Sequence, residues 1–390
     1  MKYQLIQTRG GEVLCKGVFE RIGDAGSFLV HTVAGEVRID FACKTHGDAV
    51  ARLFEILVDT KHGVLKNLSE IDAIGHRVVH GGEVFSTSAL ANEKSLREVE
   101  RLSALAPLHN PANIVGVREC IKRLDGVPNV MVFDTAFHST MPKKAFLYAL
   151  PLDDYKTHKI RRYGFHGTSH NYVARRAAEM AGKDIKKLKI ITCHIGNGCS
   201  VCAIDGGRSV ETSMGLTPLE GLVMGSRSGD IDPAVVEMLC KIHNLSVGEC
   251  INYLNKKCGL VGLSGMSDMR DLMQTRGVDE NVKTAMDCFM HRIVKYIGAY
   301  TAVMGGVDIV VWTGGIGNND YEVRRDVMSH FAYLGATVDP NKNEPLNGLP
   351  GGRNLTRDIS ATGARVKTMV ICTNEELEIA CETEKVVGGE

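Results

Sequence analysis

Apolar runs that predict β-strands alternate with helical stretches along this chain, and polar or glycine-rich residues follow the strands directly. These runs lie at residues 73–79, 129–133, 189–193, 309–312 and 366–372. In open α/β sheets, ligands bind at the carboxyl ends of the strands. Charged and glycine-rich residues at all of these ends are more than turn formation alone requires. The pattern therefore predicts an α/β fold with a binding site along the carboxyl edge of a sheet.

The remaining apolar runs predict antiparallel pairing. Runs at residues 13–18, 28–32 and 36–39 precede a stretch with helical period at residues 49–58. The runs at 201–203 and 209–212 flank Asp205-Gly206-Gly207, a sequence typical of a hairpin turn. A chain of 390 residues forms about two domains.

The charge balance and the apolar runs exclude several classes of function. The 46 basic and 46 acidic residues give no net charge, and no basic stretch or acidic tail indicates binding to nucleic acid. No apolar run is long enough to span a membrane, and the N-terminus lacks the apolar stretch of a signal peptide. The twelve cysteines lack metal or disulfide spacing, which favours reduced core residues in a cytoplasmic protein.

Residues 224–233, Met-Gly-Ser-Arg-Ser-Gly-Asp-Ile-Asp-Pro, place Arg227 in a turn of small residues between two glycines. Asp232 and Pro233 are typical of the N-cap and the first position of a helix, and the apolar residues that follow give this helix an apolar face. A guanidinium fixed in this way suits a phosphate or a carboxylate ligand. The alternative is a surface turn with an ordinary ion pair.

Glycine segments at residues 196–198 and 314–317 follow predicted strands and resemble loops whose backbone N–H groups bind phosphate. Neither is a P-loop or a Rossmann fingerprint, so each also fits a tight turn. Asp134 follows the run at 129–133, where a buried carboxylate needs a partner such as a magnesium ion or a substrate proton. The alternative for Asp134 is a helix N-cap.

Two histidines and two glutamates complete the candidates. His166 lies on a loop between two glycines, and His109 lies between two prolines. A histidine framed in this way is either structural or catalytic. Glu375 and Glu376 open the last predicted helix, where acids favour the helix dipole and where a carboxylate could also hold magnesium through water.

Together these segments resemble the acetate kinase family, the acetokinases. The resemblance rests on Gly75-His76-Arg77-Val78-Val79-His80-Gly81-Gly82, on Pro107-Leu108-His109-Asn110-Pro111, and on residues 133–138, 163–170, 194–198, 224–233 and 373–377. The segments are long and specific, and they occur in the family's order and spacing from Lys2 to the end of the chain. Chance agreement does not explain them.

The resemblance implies an α/β, two-domain actin-like ATPase fold with duplicated ribonuclease-H-like sheets around a central cleft. Residues 1–136 and 375–390 would form the N-terminal domain, and residues 137–374 would form a C-terminal domain for nucleotide binding and dimerisation. The family's reaction is a reversible, direct in-line phosphoryl transfer between ATP and acetate that gives acetyl phosphate and ADP. It uses Mg²⁺, with Mn²⁺ as an alternative, and the family enzyme is a homodimer.

The resemblance also assigns roles to individual residues. The catalytic set is Asp134, Arg227, His166 and His109. The substrate set is Arg77 for the carboxylate and Val79, Leu108, Phe165 and Pro218 for the methyl group. The metal residue is Glu375. The nucleotide set is Lys2, His194, Ile195, Gly196, Asn197, Gly198, Asp268, Met269, Arg270, Gly315, Ile316, Gly317, Asn318 and Asn319.

The sequence departs from the family pattern at two places. Asn318 stands where the adenosine loop of the family has Glu, but the glycines remain and ATP is still expected. At the N-terminus, Met1-Lys2-Tyr3 stands where the family has Leu-Lys-Tyr, so the family's first strand and its Asn-x-Gly-Ser-Ser-Ser motif are missing. Either the start codon is misassigned or the chain is short and catalytically weak.

Three alternatives to an acetate kinase stay open at this point. A propionate-preferring kinase would differ only in its small apolar pocket. A catalytically impaired nucleotide-binding relative would result if the first strand and its phosphate-binding motif are truly missing. A kinase for a hydroxyl substrate would use Asp134 as a base, but a carboxylate clamp at Arg77 argues against it.

Overall fold

The computed structural model describes residues 1–24, 26–106, 109–344 and 356–389. The strands are β1 (Lys2–Gln7), β2 (Glu12–Glu20), β3 (Phe28–Thr32), β4 (Glu36–Asp40), β5 (Ile74–Val78), β6 (Ala89–Leu90), β7 (Asn129–Phe133), β8 (Lys189–Ile195), β9 (Cys199–Asp205), β10 (Arg208–Thr212), β11 (Ile309–Thr313), β12 (Arg357–Asp358) and β13 (Lys367–Val370).

The helices are α1 (His46–Leu57), α2 (Glu93–Arg101), α3 (Asn110–Arg123), α4 (Lys143–Phe146), α5 (Leu152–His158), α6 (Gly167–Ala181), α7 (Pro233–His243), α8 (Val247–Lys256), α9 (Gly259–Ser264), α10 (Met269–Thr275), α11 (Glu280–Met304), α12 (Gly314–Asn319), α13 (Tyr321–Ser329), α14 (Pro340–Asn343) and α15 (Glu375–Gly388). In the part of the chain that is described, no helix combines the length and the apolar character needed to cross a bilayer.

The chain divides into two compact units. Unit 1 comprises Met1–Ala136 and Asn374–Glu390, and unit 2 comprises Phe137–Thr373. The last helix, α15, thus returns to the unit that contains the N-terminus. It packs there against β1, β5 and β7.

Unit 2 is built on one six-stranded sheet with the order β10-β9-β8-β11-β13-β12. The strands β8, β9 and β10 pair antiparallel, whereas β11 pairs parallel to both β8 and β13. This order is that of a ribonuclease-H-like sheet with one added edge strand. Every residue of β11 is buried, as expected for a central parallel strand covered on both faces. The helix α6 packs on this sheet, where Val173 and Ala177 meet Ile190 and Val311.

Unit 1 contains two sheets, one with the order β1-β2-β3-β4 and one with the order β5-β7-β6. Within the described residues, β1 pairs only with β2, and β5 pairs with β7 alone. The apolar faces of the first sheet and of α1 meet at Phe19, Leu29 and Ile56. The second sheet packs on α2 and α3 through Met131, Leu96 and Ile114.

Most strands predicted from the sequence lie within one or two residues of their predicted bounds. Three differences concern the site. The strand β8 continues through His194 and Ile195, the glycine segment at 314–317 is the first part of the short helix α12, and β13 stops at Val370. The apolar face of α7 is only partly covered, since Val235, Val236 and Leu239 are half-buried and Ile242 is exposed.

The start of α7 is the predicted one. The side chain of Asp232 accepts a hydrogen bond from the N–H of Ala234, and Pro233 occupies the first turn. This cap follows the Arg227 loop directly, so it fixes where the loop ends.

Replacing Asp232 by Ala should lower the free energy of unfolding by about 1 kcal/mol, because an N–H of the first turn loses its acceptor. Urea unfolding followed by circular dichroism measures this change. Asp232→Asn keeps an acceptor and is the control. An equal loss in both variants would contradict the capping role.

Candidate active site

Two glycine-rich strand ends lie side by side in unit 2. The strands β8 and β11 are parallel neighbours, and Thr313 pairs with His194 at their carboxyl ends. The turn at residues 196–198 and the start of α12 therefore meet. Gly314 has a φ of 80°, and a Cβ on it would lie 2.6 Å from the carbonyl oxygen of Ile195. Only glycine allows the two chain segments to approach this closely.

A small volume beside Gly198 is bordered by two nitrogen atoms. A Cβ at this position would lie 3.4 Å from Arg227 Nη1 and 3.6 Å from His166 Nε2. The missing side chain thus leaves a space of about atomic size between a guanidinium and an imidazole. Such a space suits an oxygen of a phosphoryl group.

Arg227 is half-buried and has no acidic partner among the described residues. Its Nη1 donates to the carbonyl oxygen of Pro218 at 3.2 Å and lies 3.7 Å from the sulfur of Met224. Burial lowers the pKa of this guanidinium, although an arginine stays protonated in proteins. A desolvated cation without a carboxylate is costly unless an anion binds, so this group fits a ligand site rather than a surface ion pair.

The loop that carries Arg227 is held from several sides. The N–H of Gly225 donates to the carbonyl of Asn197, which ties the loop to the β8–β9 turn. The N–H of Leu260 donates to Met224 O, and a Cβ at Gly259 would lie 2.2 Å from that oxygen. Asp230 accepts from the N–H of Gly221 and from the hydroxyl of Tyr296, both at 2.9 Å. The backbone of this loop is therefore held in place by hydrogen bonds on both sides of Arg227.

His166 is the N-cap residue of α6, and its φ of 57° places it in the left-handed region. Its place between two glycines predicts an exposed loop residue, but the structure shows it half-buried. Its ring stacks on His194, with 4.2 Å between the centroids, and its Nδ1 forms a 2.8 Å hydrogen bond with Ser200 Oγ. No local sequence pattern indicates this contact, because Ser200 and His166 are 34 residues apart.

The other predicted nucleotide residues of unit 2 are partly near this site. Asn318 on α12 is 9% exposed, and its Oδ1 is buried without a hydrogen-bond partner within the described residues. Asn319 donates to Gly315 O at 2.8 Å. Ile316 and Gly317 belong to the same helix. Asp268, Met269 and Arg270 lie at the start of α10, where Arg270 pairs with Asp268 at 2.6 Å on an exposed surface.

Unit 1 carries a second charged cluster at the ends of β5 and β7. Arg77 Nε donates to Asp134 Oδ1 at 2.9 Å, and Arg77 Nη2 donates to Oδ2 at 2.6 Å. Asp134 is 1% exposed, and it directly follows β7 as predicted. Its charge raises the pKa of Arg77 further. The carboxylate is therefore held by an arginine on the neighbouring parallel strand, a pairing that the sequence did not predict.

Glu375 opens α15 and lies near this pair. Its Oε1 is buried and has no hydrogen-bond partner in the described part of the chain. Burial, and next the charge of Asp134, raise its pKa from 4.5 to about 7, while Arg77 and Lys2 act in the opposite direction. Burial here outweighs the helix-dipole effect that favours an acid at this position. A buried carboxylate oxygen without a partner, beside a second carboxylate, suits a cation.

The remaining predicted residues are distributed over both units. In unit 1, Val79 is buried directly after β5, and His109 is the exposed residue that precedes α3. Leu108 lies outside the described residues. In unit 2, Phe165 is buried beside His166, and the carbonyl of Pro218 contacts Arg227.

The described structure thus gathers the predicted residues into one cluster in each unit. The cluster in unit 1 contains Arg77, Asp134, Glu375 and Lys2. The cluster in unit 2 contains His166, His194, Gly196, Asn197, Gly198, Arg227 and Gly315.

A ribonuclease-H-like sheet with a glycine-rich strand end beside a guanidinium that has no acidic partner among the described residues is typical of actin-like phosphotransferases. Comparison with known proteins confirms this fold. The structure aligns with the acetate kinase of Porphyromonas gingivalis with a TM-score of 0.94 and 43% identity, covering 99% of this chain and 96% of the other. A propionate kinase from Francisella tularensis gives a TM-score of 0.90 and 41% identity at the same coverage.

The sequence comparisons identify the family. The profile of the acetokinase family matches residues 1–381. The acetate kinase of Thermotoga petrophila is 53% identical over 392 residues, which cover 99% of this chain and 96% of that protein. The chain therefore belongs to the acetokinase family, and the resemblance found in the sequence is confirmed.

Gly198→Ala should leave the fold intact and abolish most of the activity. The new methyl group meets its neighbours at ordinary contact distance, but it fills the space between Arg227 and His166. We expect a loss of about 10²-fold or more in kcat with an unchanged melting temperature. Gly116→Ala is the control, because a Cβ there meets nothing within 4 Å. Wild-type turnover in Gly198→Ala would show that no ligand occupies this space.

Glu375→Gln should change how stability depends on pH. The raised pKa means that the native state holds a proton that the unfolded chain releases, so the wild type loses stability as the pH rises from about 4.5 to about 7. The neutral amide avoids this loss. We expect the variant to be more stable than the wild type by on the order of 1–3 kcal/mol at about pH 8, and equal to it below about pH 4.

Urea unfolding across this pH range, in the absence of divalent cations, measures the difference. Glu376→Gln makes the same charge change one residue further along α15 and is the control. Parallel stability curves for the wild type and Glu375→Gln would show that burial of Glu375 does not disfavour its charge.

Proposed function

We propose that this member of the acetokinase family is an acetate kinase. It transfers a phosphoryl group reversibly between ATP and acetate, directly and in line, and forms acetyl phosphate and ADP. The family membership supports the reaction class, a kinase that phosphorylates a carboxylate. The observation that carries the proposal within this chain is the half-buried, unpaired guanidinium of Arg227 beside Gly198 and His166.

The chemistry needs no strong general base. A carboxylate is already ionised at neutral pH, so nothing has to remove a proton before it attacks. Catalysis then rests on positioning and on stabilising the charge of the transferring group. This requirement matches a site that is rich in cations and N–H donors.

The residues of unit 2 would act on the phosphoryl group. Arg227 would donate from Nη1 to its equatorial oxygens, and His166 would donate from Nε2 on the other side of the space beside Gly198. The fixed loop means that the guanidinium does not reorganise during the reaction, which is the condition for strong electrostatic stabilisation. The turn at 196–198 and the helix α12 would accommodate the phosphates and the adenosine of ATP or ADP.

The residues of unit 1 would act on the carboxylate and on the metal. Asp134 holds the Nε and Nη2 edge of Arg77, which leaves the Nη1 edge for the substrate carboxylate. His109 would assist the transfer, and Lys2 would contact phosphate.

Mg²⁺ fits the acids of this cluster. The orphaned oxygen of Glu375 and the carboxylate of Asp134 are hard oxygen donors, and Mg²⁺ is usually bound through one or two carboxylates and several waters. Among the described residues, no three His, Cys, Asp or Glu side chains lie together as they would in a closed metal cage. When bound, the ion would neutralise charge on the nucleotide phosphates. Mn²⁺ shares this ligand preference.

The methyl group of acetate would be held by the apolar side chains of Val79, Leu108, Phe165 and Pro218. The similarity to the propionate kinase of Francisella tularensis supports propionate as a second substrate. A propionate-preferring enzyme is the alternative to our proposal.

We further propose a homodimer in the cytoplasm, with residues 137–374 as the nucleotide-binding and dimerisation domain. Exposed apolar side chains on α7 and α8 support an interface in this part of the chain, namely Met238, Ile242, Val247 and Ile251. Seven cysteines are buried with free thiols, which supports a reducing compartment; they are Cys15, Cys43, Cys120, Cys193, Cys199, Cys202 and Cys250.

Arg227→Ala should lower kcat for acetyl phosphate formation by about 10²–10³-fold, because the transition state loses a charge-stabilising donor. The hydroxamate assay with ATP, Mg²⁺ and acetate measures the product. Arg176→Ala removes an exposed arginine of α6 that pairs with Glu179, and this control should keep wild-type turnover. Near-normal turnover in Arg227→Ala, with wild-type protein active, would refute its assignment.

Acetate should be preferred over propionate by a modest factor. One additional methylene in a small apolar pocket changes the activation free energy by about 1–3 kcal/mol, which corresponds to a ratio of about 10 to 200 in kcat/KM. Competition between the two acids in the hydroxamate assay measures this ratio. A higher kcat/KM for propionate would establish the alternative enzyme.

A further inference from the structure

Ser200 lies behind His166 and links it to a buried histidine. The Oγ atom of Ser200 on β9 lies 2.8 Å from His166 Nδ1 and 2.8 Å from His170 Nε2. The other ring nitrogen of His170, Nδ1, lies 2.7 Å from Thr192 Oγ1 on β8. A continuous hydrogen-bonded chain therefore runs from the sheet interior to the imidazole that faces Gly198.

The inner members of this chain are shielded from water. Ser200, His170 and Thr192 are each 0% exposed. Burial lowers the pKa of His170 well below its usual value, and the nearby His138 and His194 lower it further. His170 is therefore neutral and offers one donor nitrogen and one acceptor nitrogen.

Two arrangements of donors and acceptors satisfy every hydrogen bond in this chain of side chains. In the first, Thr192 donates to His170, His170 donates to Ser200, and Ser200 donates to Nδ1 of a neutral His166. In the second, His166 donates from Nδ1 to Ser200, which donates to His170 and so on to Thr192; an imidazolium or the neutral tautomer with its proton on Nδ1 satisfies this arrangement. The first arrangement requires the neutral tautomer that carries its proton on Nε2, so the hydroxyl of Ser200 selects this tautomer when it donates to Nδ1.

We propose that Ser200 is a positioning residue for the phosphoryl transfer. Its hydroxyl holds the ring of His166 and keeps a proton on Nε2, the atom that borders the space beside Gly198. This inference rests on the proposed function of His166. A lone pair on Nε2 would repel a phosphoryl oxygen, so the choice of tautomer matters as much as the position of the ring.

A second pair in the same sheet separates positioning from packing. Ser209 on β10 is also 0% exposed, and its Oγ lies 2.9 Å from Nδ1 of the buried His138. Removing the Ser209 hydroxyl takes one hydrogen bond from a buried histidine, whereas removing the Ser200 hydroxyl takes one from the buried His170 and one from the half-buried His166. Ser200→Ala should therefore lose at least as much stability as Ser209→Ala. Of these two serines, Ser200 contacts His166 and Ser209 contacts His138 instead.

The test compares Ser200→Ala with Ser209→Ala in the full chain. Melting temperatures report stability, and the hydroxamate assay gives kcat and KM for acetate and for ATP. We expect both variants to lose stability, Ser200→Ala at least as much as Ser209→Ala, and we expect Ser200→Ala to lose about 10- to 100-fold in kcat with KM values within about twofold. Ser209→Ala should keep wild-type kcat. Ser200→Thr retains a hydroxyl and should recover most of the lost kcat.

The tautomer of His166 provides a readout that does not depend on turnover. The protein is labelled with ¹⁵N at its histidine rings and studied by NMR. The signals of His166 are assigned by their absence from the spectrum of His166→Gln. We expect a protonated Nε2 in the wild type and in Ser209→Ala, and a mixture of tautomers in Ser200→Ala. This measurement on wild-type protein remains decisive if Ser200→Ala does not fold.

Three results would overturn the inference. These are wild-type kcat in Ser200→Ala, equal losses of kcat in the two alanine variants, and an unprotonated Nε2 in wild-type His166. Wild-type protein that forms no acyl phosphate from acetate or propionate would instead refute the proposed function, and the spectra would still test the hydrogen-bonded chain.

Discussion

The half-buried guanidinium of Arg227, which has no acidic partner in the described part of the chain, is the constraint on which the site in unit 2 depends. Placing an unpaired charge in partly desolvated surroundings costs free energy that the rest of the loop must offset. Hydrogen bonds from the β8–β9 turn, α9 and α11 hold the loop in place. The charge is thus fixed toward the space beside Gly198, which an anion can fill.

Unit 1 arranges its charges in the opposite way. Asp134 accepts hydrogen bonds from two nitrogens of Arg77, whereas the neighbouring Glu375 has a buried oxygen without a partner in the described part of the chain. Burial raises the pKa of Glu375, so a bound cation would stabilise its charged form. Unit 2 therefore offers a cation for an anionic ligand, and unit 1 offers a carboxylate for a cation.

Much of this could be predicted from the sequence, because local patterns encode it. The period of the apolar residues gave β7 and β3 with correct bounds, and Asp232-Pro233 gave the start of α7. The apolar face predicted for α7 is only partly covered, because periodicity shows which residues share a face but not what covers that face. Residues 314–317 were expected to form a loop, yet Gly314 at positive φ allows a helix to begin directly after β11.

The sequence by itself determined the order of strands and helices, the family, and the residue types that gather at the strand ends. Only the tertiary structure decided which of these residues have partners. Arg77 and Asp134 are 57 residues apart in sequence, and Ser200 and His166 are 34 apart. The free energy of a charge or a hydrogen bond depends on distances through space and on the exclusion of water, and neither quantity follows from local spacing along the chain.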